Sequence, residues 1–587
     1  MSSRDDPTPG APTPATTSRR DFLRVGGFAL GGLAVGGAAG AAVAAAGTAR
    51  PSVAADEPGF AHVVVLMGEN RSFDNMLGRL YDEKTLPAGE TFDGLAFGSY
   101  RNRAPDGREI PAHVYTGSTD AIMCSPDPDP GETYPHVNTQ LFDIVDPASN
   151  ETDWKAGIRA PYNAPGEGAT PTMSGFVRDY VVNYRRTSHG KDPSAAETDV
   201  IMGGFSPAML PVLSTLAKEF AVFDQWHCAV PSQTYCNRSF FHASTSHGFV
   251  TNRDGGGYAK WLSAPDTPTI FNRLEEAGVS WRIYFDEDQL VSLTGVMHAP
   301  ALEQYWRTEH FAYMDRFYAD AAAGTLPAYA FIEPRMVYNH NDFHPPFGVL
   351  RGSDADGSPV FDSAISDVRA GEALVANVYD AVRTSASTSG SNALNTLLLI
   401  TFDEHGGTYD HVPPPAAVPP DPQHPAGEMG FRFDRLGLRV PAIAVSAYTK
   451  AGTIVHDEIH HAAVIATLSA LHGLAPLTDR DRGARTLFDV TNLTTPRHPS
   501  TWPTVSPAYV PPLLDEDQVE ELKSSLKPLT SPAKGLLGLL LAKYAGPGHP
   551  EPETYQDAYD ILTTYGLGLF TDRGTGTPTP TPSPTRS

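Results

Sequence analysis

Cysteine and positive charge are both scarce in this sequence of 587 residues. Three cysteines are too few for a disulfide scaffold, so buried thiols are expected, with a bond between Cys228 and Cys236 as the alternative and Cys124 then left free. Lysine and arginine number 43 against 68 acidic residues, which gives a formal charge of −25. No nucleic-acid partner is expected, because binding a phosphate backbone takes surplus cations. An anionic ligand would need a local metal ion or a cationic pocket.

The N-terminal 55 residues are typical of an export signal. Residues 17–25, TSRRDFLRV, contain a twin-arginine pattern, and a weakly hydrophobic stretch rich in Gly and Ala follows. Small residues offer a cleavage site near Ala54 or Ala55. Residues 1–55 are therefore predicted to be a Tat-type signal peptide, with a transmembrane helix as the alternative. The Tat export machinery is then a partner, and the protein is expected to be secreted or associated with the cell envelope.

The rest of the chain alternates apolar runs with helical patterns, and 41% hydrophobic residues allow a sizeable core. The runs that indicate buried strands are 61–67, 279–285, 328–332, 397–402 and 440–448. The patterns that indicate helices are 207–220, 269–278, 371–383 and 460–473. This alternation predicts an α/β fold, a doubly wound and mostly parallel sheet with helices on both faces and with loop insertions.

Clusters of polar residues follow three of these strands. GENRSFDN (68–75) follows the first strand, EPRMVYNHNDFHPP (333–346) the third, and DEHGGTYDH (403–411) the fourth. In open α/β sheets, ligands bind outside the carboxyl ends of the strands. We therefore expect the three clusters to converge on one crevice.

The first and last clusters contain hard oxygen ligands. Glu69, Asn70, Asp403 and Glu404 together offer three carboxylates and an amide oxygen, which suit one divalent cation of unknown identity. Taken singly, Asn70 could be a helix cap and the acid pair could be ordinary turn residues. Three carboxylates in one crevice would repel each other strongly unless a cation neutralised them.

A hydroxyl group and several histidines complete the candidate site. In VPSQTYCNRSFFHASTSHG (230–248), a turn precedes a helix expected to begin near Asn237, so Thr234 or Ser232 would lie at its positive end. A hydroxyl beside a metal ion can be ionised and act as a nucleophile, although an ordinary capping residue is the alternative. Histidines near such a site can bind phosphate oxygens or protonate a leaving alcohol. The candidates are His136, His344, His405, His411 and His461.

Four segments, in this order along the chain, resemble the bacterial phosphoesterase family, which contains nonspecific phospholipases C and related acid phosphatases. They are HVVVLMGENRSFDNMLG (62–78), VPSQTYCNRSFFHASTSHG, NDFHPP (341–346) and TFDEHGGTYDHVPPP (401–415). The resemblance runs roughly from residue 60 to residue 473. It implies an alkaline-phosphatase-like α/β fold, one active-site metal ion and a hydroxyl nucleophile that forms a phospho-enzyme.

The resemblance also assigns roles to individual residues. Glu69, Asn70, Asp403 and Glu404 fall on metal-binding positions, and Thr234 falls on the position of the nucleophile, which also contacts the metal. His136, His344 and His461 fall near positions that hold phosphate or serve the leaving group.

The implied function is that of an exported, metal-dependent phosphoesterase, a phospholipase C that hydrolyses phospholipids through a Thr nucleophile. The alternatives are a secreted acid phosphatase acting on phosphomonoesters, and a catalytically silent metal- or carbohydrate-binding surface protein with the same fold. The substrate would be a phosphate ester or a phospholipid, with transient contact with a membrane surface as a further expectation.

The predicted organisation has two segments after the signal peptide and a tail. Residues 56–490 form the phosphoesterase catalytic domain, and 491–573 form a C-terminal extension packed on the core. Residues 574–587, GTGTPTPTPSPTRS, form a disordered Thr/Pro tail. Within the extension, GLLGLLLAKY (535–544) could instead contact lipid.

Overall fold

The apolar runs of the sequence form the centre of an eight-stranded sheet. The structure is a computed structural model that describes residues 59–151, 157–265, 267–353, 359–363, 366–423, 425–510, 516–546 and 548–570. The predicted signal peptide and the predicted Thr/Pro tail lie outside the described residues, so both stay predictions.

The strands of the sheet appear in the order β8-β2-β7-β6-β1-β5-β3-β4. Their bounds are β1 His62–Gly68, β2 Ala221–Phe223, β3 Trp281–Phe285, β4 Phe311–Tyr313, β5 Tyr329–Ile332, β6 Thr396–Phe402, β7 Ala442–Val445 and β8 Thr453–Val455. All five predicted strands are present, as β1, β3, β5, β6 and β7. The short strands β2, β4 and β8 were not predicted from the sequence, because three apolar residues carry too weak a pattern.

Strand β1 lies at the centre, with β5 and β6 parallel to it on either side. One of the predicted parallel strands, β7, is antiparallel to both of its neighbours, β6 and β2. The reason is its connection. Among the described residues between β6 and β7 there is only one short helical turn, Glu428–Gly430, and no helix of the kind that usually carries a parallel crossover. The α/β class and the mostly parallel sheet are confirmed.

Helices cover both faces of the sheet. The longer helices are α1 Tyr134–Phe142, α2 Phe176–Thr187, α3 Pro211–Glu219, α4 Thr234–Ala243, α5 Ile270–Glu276, α6 Met314–Ala323, α7 Val368–Thr384, α8 Ala462–His472, α9 Glu516–Lys523, α10 Ser531–Tyr544 and α11 Tyr555–Ile561. The set α3, α6 and α7 packs together, and so does the set α4, α5 and α8. Every residue of β6 is buried, as expected of a strand covered on both sides.

Shorter elements decorate the loops. The short helices are Phe73–Met76, Thr119–Ile122, Ala195–Asp199, Ala259–Leu262, Leu293–Met297, Ala299–Leu302 and Asp479–Arg482. The two-stranded sheets pair Arg101–Arg103 with Glu109–Pro111, His113–Val114 with Gly203–Gly204, Trp226–His227 with Ile459–His460, and Gly348–Ser353 with Pro359–Ser363.

The described part of the C-terminal extension shares the main hydrophobic core. Leu536, Leu537, Leu539 and Leu540 of α10 are fully buried in the cluster that also contains the strands of the sheet. The interpretation of GLLGLLLAKY as a lipid-contacting patch is therefore wrong, because four of its five leucines are not available to lipid. Among the described residues, no helix has both the length and the apolarity needed to cross a bilayer.

The three cysteines are free thiols. Cys228 and Cys236 are buried, which agrees with the expectation of plain buried thiols, and they do not form the alternative disulfide.

Candidate active site

The loops after β1, β5 and β6 meet at the carboxyl edge of the sheet, as expected for three neighbouring parallel strands. The amide of Glu69 donates to the carbonyl of Asp342 at 2.7 Å, which joins the first loop to the second. The amide of Arg71 donates to the carbonyl of Glu404 at 3.0 Å, which joins the first loop to the third. Three clusters far apart in sequence thus form one polar crevice.

Asp403 organises the backbone of this crevice. Its Oδ1 accepts hydrogen bonds from the amides of Asn70 at 2.9 Å and Glu404 at 2.8 Å. Asn70 has a φ of 52°, an uncommon left-handed conformation for a residue other than glycine. Strain of this kind persists where surrounding contacts over-determine it, and it is frequent at functional sites. The two loops are therefore held in one arrangement by a carboxylate that the sequence predicts to be a ligand.

Two glycines let the third loop come close to its neighbours. Gly406 and Gly407 have φ values of +60° and +68°, where side chains cause strain. A Cβ on Gly406 would collide with the carbonyl of Asn70, and one on Gly407 would collide with the carbonyl of Gly131. The GG of DEHGG is thus required by the close packing of three backbones around Asp403.

The guanidinium of Arg238 and the carboxylate of Glu69 form a fully buried ion pair beside Asp403. The Nε atom of Arg238 lies 3.9 Å from Asp403 Oδ2. Burial alone would lower the pKa of Arg238, but the carboxylates of Glu69 and Asp403 outweigh it and raise the pKa. The single positive charge of Arg238 therefore faces two negative carboxylates. Among the described residues, neither Glu69 Oε2 nor Asp403 Oδ2 has a hydrogen-bond partner.

Thr234 lies on the first turn of α4, which begins at this residue rather than near Asn237 as expected from the sequence. The earlier start is consistent with Gln233, whose extended backbone caps the helix. The Oγ1 of Thr234 is 3.4 Å from Asn70 Oδ1. The other hydroxyl candidate, Ser232, is turned away and donates to the carbonyl of Val250. The structure thus brings together Thr234, and not Ser232, with the predicted metal ligands.

A second acidic group borders the first. The ligand atoms of Asp129, Glu132 and His344 lie within 4.8 Å of one another, and all three side chains are buried. Glu132 joins the two groups, because its carboxylate accepts from Asn70 Nδ2 and from Gln233 Nε2, the latter at 3.1 Å. Glu404 is beside Glu132, and its Oε1 has no hydrogen-bond partner.

The crowding of carboxylates in a dry site strongly disfavours their charged forms. Burial raises the pKa of Glu69 well above its usual range, and the Asp403 carboxylate raises it further against the opposing effect of Arg238. Burial, followed by repulsion from Glu404, raises the pKa of Glu132. Burial, followed by repulsion from Asp403, raises the pKa of Glu404. Such a set of acids is compatible with charge only when a cation is bound among them.

The donor set fits a divalent cation. Glu69 Oε2, Asp403 Oδ2 and Glu404 Oε1 are buried oxygens without a hydrogen-bond partner, and buried polar atoms in proteins are nearly always satisfied. Oxygens of carboxylates and amides are the ligands that hard divalent cations prefer.

His136 belongs to a chain of hydrogen bonds that leads to His405, the residue next to the acid pair. Its Nδ1 is 2.8 Å from Asp179 Oδ1, and Asp179 Oδ2 accepts from Gln140 Nε2 at 2.9 Å. The Oε1 of Gln140 is 2.8 Å from His405 Nε2, and His405 Nδ1 lies 3.2 Å from Glu404 Oε2. A carboxylate on Nδ1 fixes the orientation of the imidazole and favours the tautomer with the proton on Nδ1.

His461 has a different place from the one expected. Its Nε2 is 2.6 Å from the carbonyl of Asp403, and its Nδ1 accepts from Trp226 Nε1 at 3.2 Å. Since the indole can only donate, the Nε2 atom must carry the proton. Burial lowers the pKa of His461 to about 4, which fits this neutral form. Both ring nitrogens are thus engaged, so the prediction that His461 serves phosphate or the leaving group is corrected: it positions Asp403 from behind.

A cavity of about 140 Å³ opens beside the second acidic group. Its lining includes Asp129, Glu132 and His136 on one side and Tyr258, Lys534 and Glu551 on the other. Lys534 belongs to α10, so the C-terminal extension contributes to the wall of this cavity.

Comparison with known proteins assigns the chain to a family. Residues 60–475 match the model of the Phosphoesterase family. The chain belongs to the phosphoesterase family. The chain is 33% identical over 491 residues to "Non-specific phospholipase C6" of Arabidopsis thaliana, covering 81% of this chain and 80% of that protein. It is 32% identical over 455 residues to "Non-specific phospholipase C3" of the same plant, covering 74% of each.

The chain is also similar to more distant proteins. "Phospholipase C B" of Mycobacterium tuberculosis is 24% identical over 486 residues, covering 75% of this chain and 79% of that protein. Solved structures that match include a protein in the alkaline phosphatase superfamily from Vibrio parahaemolyticus, at 13% identity and a TM-score of 0.27, covering 49% of this chain and 66% of that one. This phosphoesterase is a hydrolase that acts on phosphoric ester bonds.

Sequence reasoning missed two acids and one cation of the phosphoesterase site. Asp129 and Glu132 lie in DPDPGETYPH (127–136), a loop that does not follow a strand of the sheet. A usable signal was present, because two acids flank Pro130 and Gly131 directly before the helix that carries His136. Arg238 was part of a quoted segment, but its ion pair with Glu69 joins positions 169 residues apart.

Proposed function

We propose that this phosphoesterase is an exported phospholipase C that uses Thr234 as its nucleophile. The observation that carries the proposal is the position of the Thr234 hydroxyl, on the first turn of α4 and against Asn70, whose amide donates to Asp403. The similarity to proteins named phospholipase C supports the choice of substrate class.

Glu69, Asn70, Asp403 and Glu404 would hold the cation, with Thr234 at its edge. When bound, the cation would favour the ionised hydroxyl and neutralise the charge of the phosphoryl oxygens. The N-terminal turn of α4 adds the positive end of a helix dipole at the same place.

In the first half of the reaction, Thr234 Oγ1 attacks phosphorus and the bond from phosphorus to the diacylglycerol oxygen breaks. The leaving alkoxide takes a proton, and diacylglycerol departs. His136 is the best-placed donor, because it lines the cavity and Asp179 holds its Nδ1–H. It would act in its doubly protonated form and give the Nε2 proton to the alkoxide, and the proton that Thr234 loses replaces the one given up. In the second half, water attacks the phosphothreonine and releases the phosphorylated head group, which restores the Thr234 hydroxyl.

The substrate class is tested with purified protein on phosphatidylcholine vesicles and on p-nitrophenyl phosphate, each with and without a chelator. The proposal expects diacylglycerol and phosphocholine in equal amounts, and loss of both on chelation. A matched pair, Thr234→Ser and Thr234→Ala, should retain and lose turnover respectively, because only the first keeps a hydroxyl. Release of phosphate from the monoester with no diacylglycerol from vesicles would show a phosphomonoesterase instead.

Export through the Tat pathway is part of the proposal, supported by the twin arginines in TSRRDFLRV. Replacing Arg19 and Arg20 by lysine should leave the protein inside the cell, whereas replacing Arg24 alone should not. Equal secretion of the double variant and the wild type would contradict this route.

A further inference from the structure

We propose that Asp129, Glu132 and His344 bind a second divalent cation, in a site that is separate from the one formed by Glu69, Asn70, Asp403 and Glu404 and next to it. We call these three residues the cavity-side site. The inference deepens the proposed function, and rests on it for the first cation.

The histidine of the cavity-side site is prepared to act as a ligand. The Nδ1 atom of His344 lies 2.6 Å from the carbonyl of Pro345, and a carbonyl can only accept, so Nδ1 carries the proton. The lone pair of a neutral imidazole is then on Nε2. This atom is fully buried, has no hydrogen-bond partner and lies 3.9 Å from Asp129 Oδ2. Metal-bound histidines commonly donate the other ring N–H to a carbonyl in this way.

The acids of the cavity-side site also have no cationic ion-pair partner among the described residues, and the charges of Arg71 and Arg186 act on Asp129 only from a greater distance. Asp129 Oδ1 is buried without a partner. Across the described part of the chain, no lysine or arginine forms an ion pair with Asp129 or Glu132. The hydrogen bonds to Glu132 come from the neutral amides of Asn70 and Gln233. Two buried carboxylates and a buried imidazole lone pair at one point are unfavourable unless something positive lies among them.

Another group of two acids and a histidine already contains a cation supplied by the protein. Asp74, Asp410 and His411 also approach each other within 4.8 Å. There the guanidinium of Arg439 lies between the two acids, at 3.0 Å from each, and His411 is 2.7 Å from Asp74. That cluster is an ion-pair network already complete within the protein. Among the described residues, no arginine or lysine holds such a position between Asp129 and Glu132.

Position and donor type define what the cavity-side site would bind. Asp129 and Glu132 line the cavity, so an ion can enter from there. Nitrogen plus two carboxylates suits Mn²⁺ or Zn²⁺ better than the harder Mg²⁺ or Ca²⁺. Because Glu132 also contacts Asn70, the two cations would be close neighbours, as in two-metal sites where both ions contact one phosphoryl group.

The test is the number and coupling of bound ions in the full-length protein. Purified enzyme would be stripped, reloaded with Mn²⁺, desalted and analysed for metal content and by electron paramagnetic resonance. Two Mn²⁺ per chain with a spin-coupled spectrum are expected. Asp129→Asn and His344→Gln should each leave one uncoupled ion, and Asp403→Asn should remove the other. His411→Gln, in the cluster that contains Arg439, should leave both ions in place.

The outcomes separate the two proposals. One ion per wild-type chain, lost with Asp403→Asn but kept in Asp129→Asn and His344→Gln, would overturn the cavity-side site and leave the proposed function standing. No bound ion at all would overturn both. Because the spectrum of the wild-type protein is itself decisive, poor folding of a variant does not weaken the test.

Discussion

The pairing of His136 with Asp179 makes a quantitative prediction about the leaving group. Asp179 is buried and accepts three hydrogen bonds: from His136 Nδ1 at 2.8 Å, from Gln140 Nε2 at 2.9 Å and from Asn150 Nδ2 at 3.1 Å. In Asp179→Asn, the new NH₂ group must face either Gln140 or the pair His136 and Asn150. Either orientation puts a donor against a donor, and the second orientation also reverses the tautomer of His136.

The expected size of the effect follows from the bonds lost. A hydrogen bond to a charged group contributes about 1.5–3 kcal/mol, which corresponds to a rate change of about 10- to 150-fold. This loss should fall on substrates whose leaving group needs a proton, such as diacylglycerol. A p-nitrophenyl ester should be slowed only a few-fold, because p-nitrophenolate departs without help.

The assay compares kcat of wild type and Asp179→Asn on phosphatidylcholine and on a p-nitrophenyl ester. The matched control is Asp320→Asn, which removes a buried acid of α6 that binds Arg282 and Tyr284 and is not among the residues of the candidate site. It should lower stability without changing the ratio of the two rates. Equal losses of Asp179→Asn on both substrates would refute the proton-donor role of His136 and leave it a structural residue.

Three further predictions follow from other contacts. Although burial opposes them, Asp74 and Asp93 raise the pKa of His411 to about 9, so the protonated imidazole stabilises the fold by about 3 kcal/mol below pH 6.5 and this contribution is lost as pH rises through 9. The difference in unfolding free energy between wild type and His411→Gln should therefore shrink between pH 6 and pH 10. A constant difference would contradict this. Gly406→Ala should lower the free energy of unfolding, measured in urea, by more than about 2 kcal/mol and abolish metal retention, since the φ of Gly406 is +60°. An unfolding free energy equal to that of the wild type would contradict the packing argument. His461→Ala should slow alkyl and nitrophenyl esters equally, by about tenfold, because it only positions a ligand; an unequal loss would return it to the leaving group.

The sequence predicts the centre of the fold because the central strands are long and continuously apolar. Each of β1, β5 and β6 is followed at once by a polar cluster, so their convergence follows from parallel pairing alone. The direction of β7 does not follow, since its apolar residues would be the same in either orientation and only the form of the connection decides it.

The candidate site is predictable where the proposed ligands directly follow strands, as Glu69 and Asp403 do. Glu132 reaches the site through a contact with Asn70 that spans 62 residues, and no local pattern encodes it. The role of His461 depends on where Trp226 places its indole, 235 residues earlier. Such side-chain directions are set by tertiary packing, which spacing along the chain does not record.

The central claim, that Thr234 forms a covalent intermediate, is tested most directly by trapping it. Enzyme mixed with short-chain phosphatidylcholine would be quenched in acid within the first turnover, digested and analysed by mass spectrometry. We predict a phosphocholine ester on the peptide that contains Thr234, absent from the Thr234→Ala variant. Label on Ser232, or a full first turnover with no labelled peptide, would contradict the account.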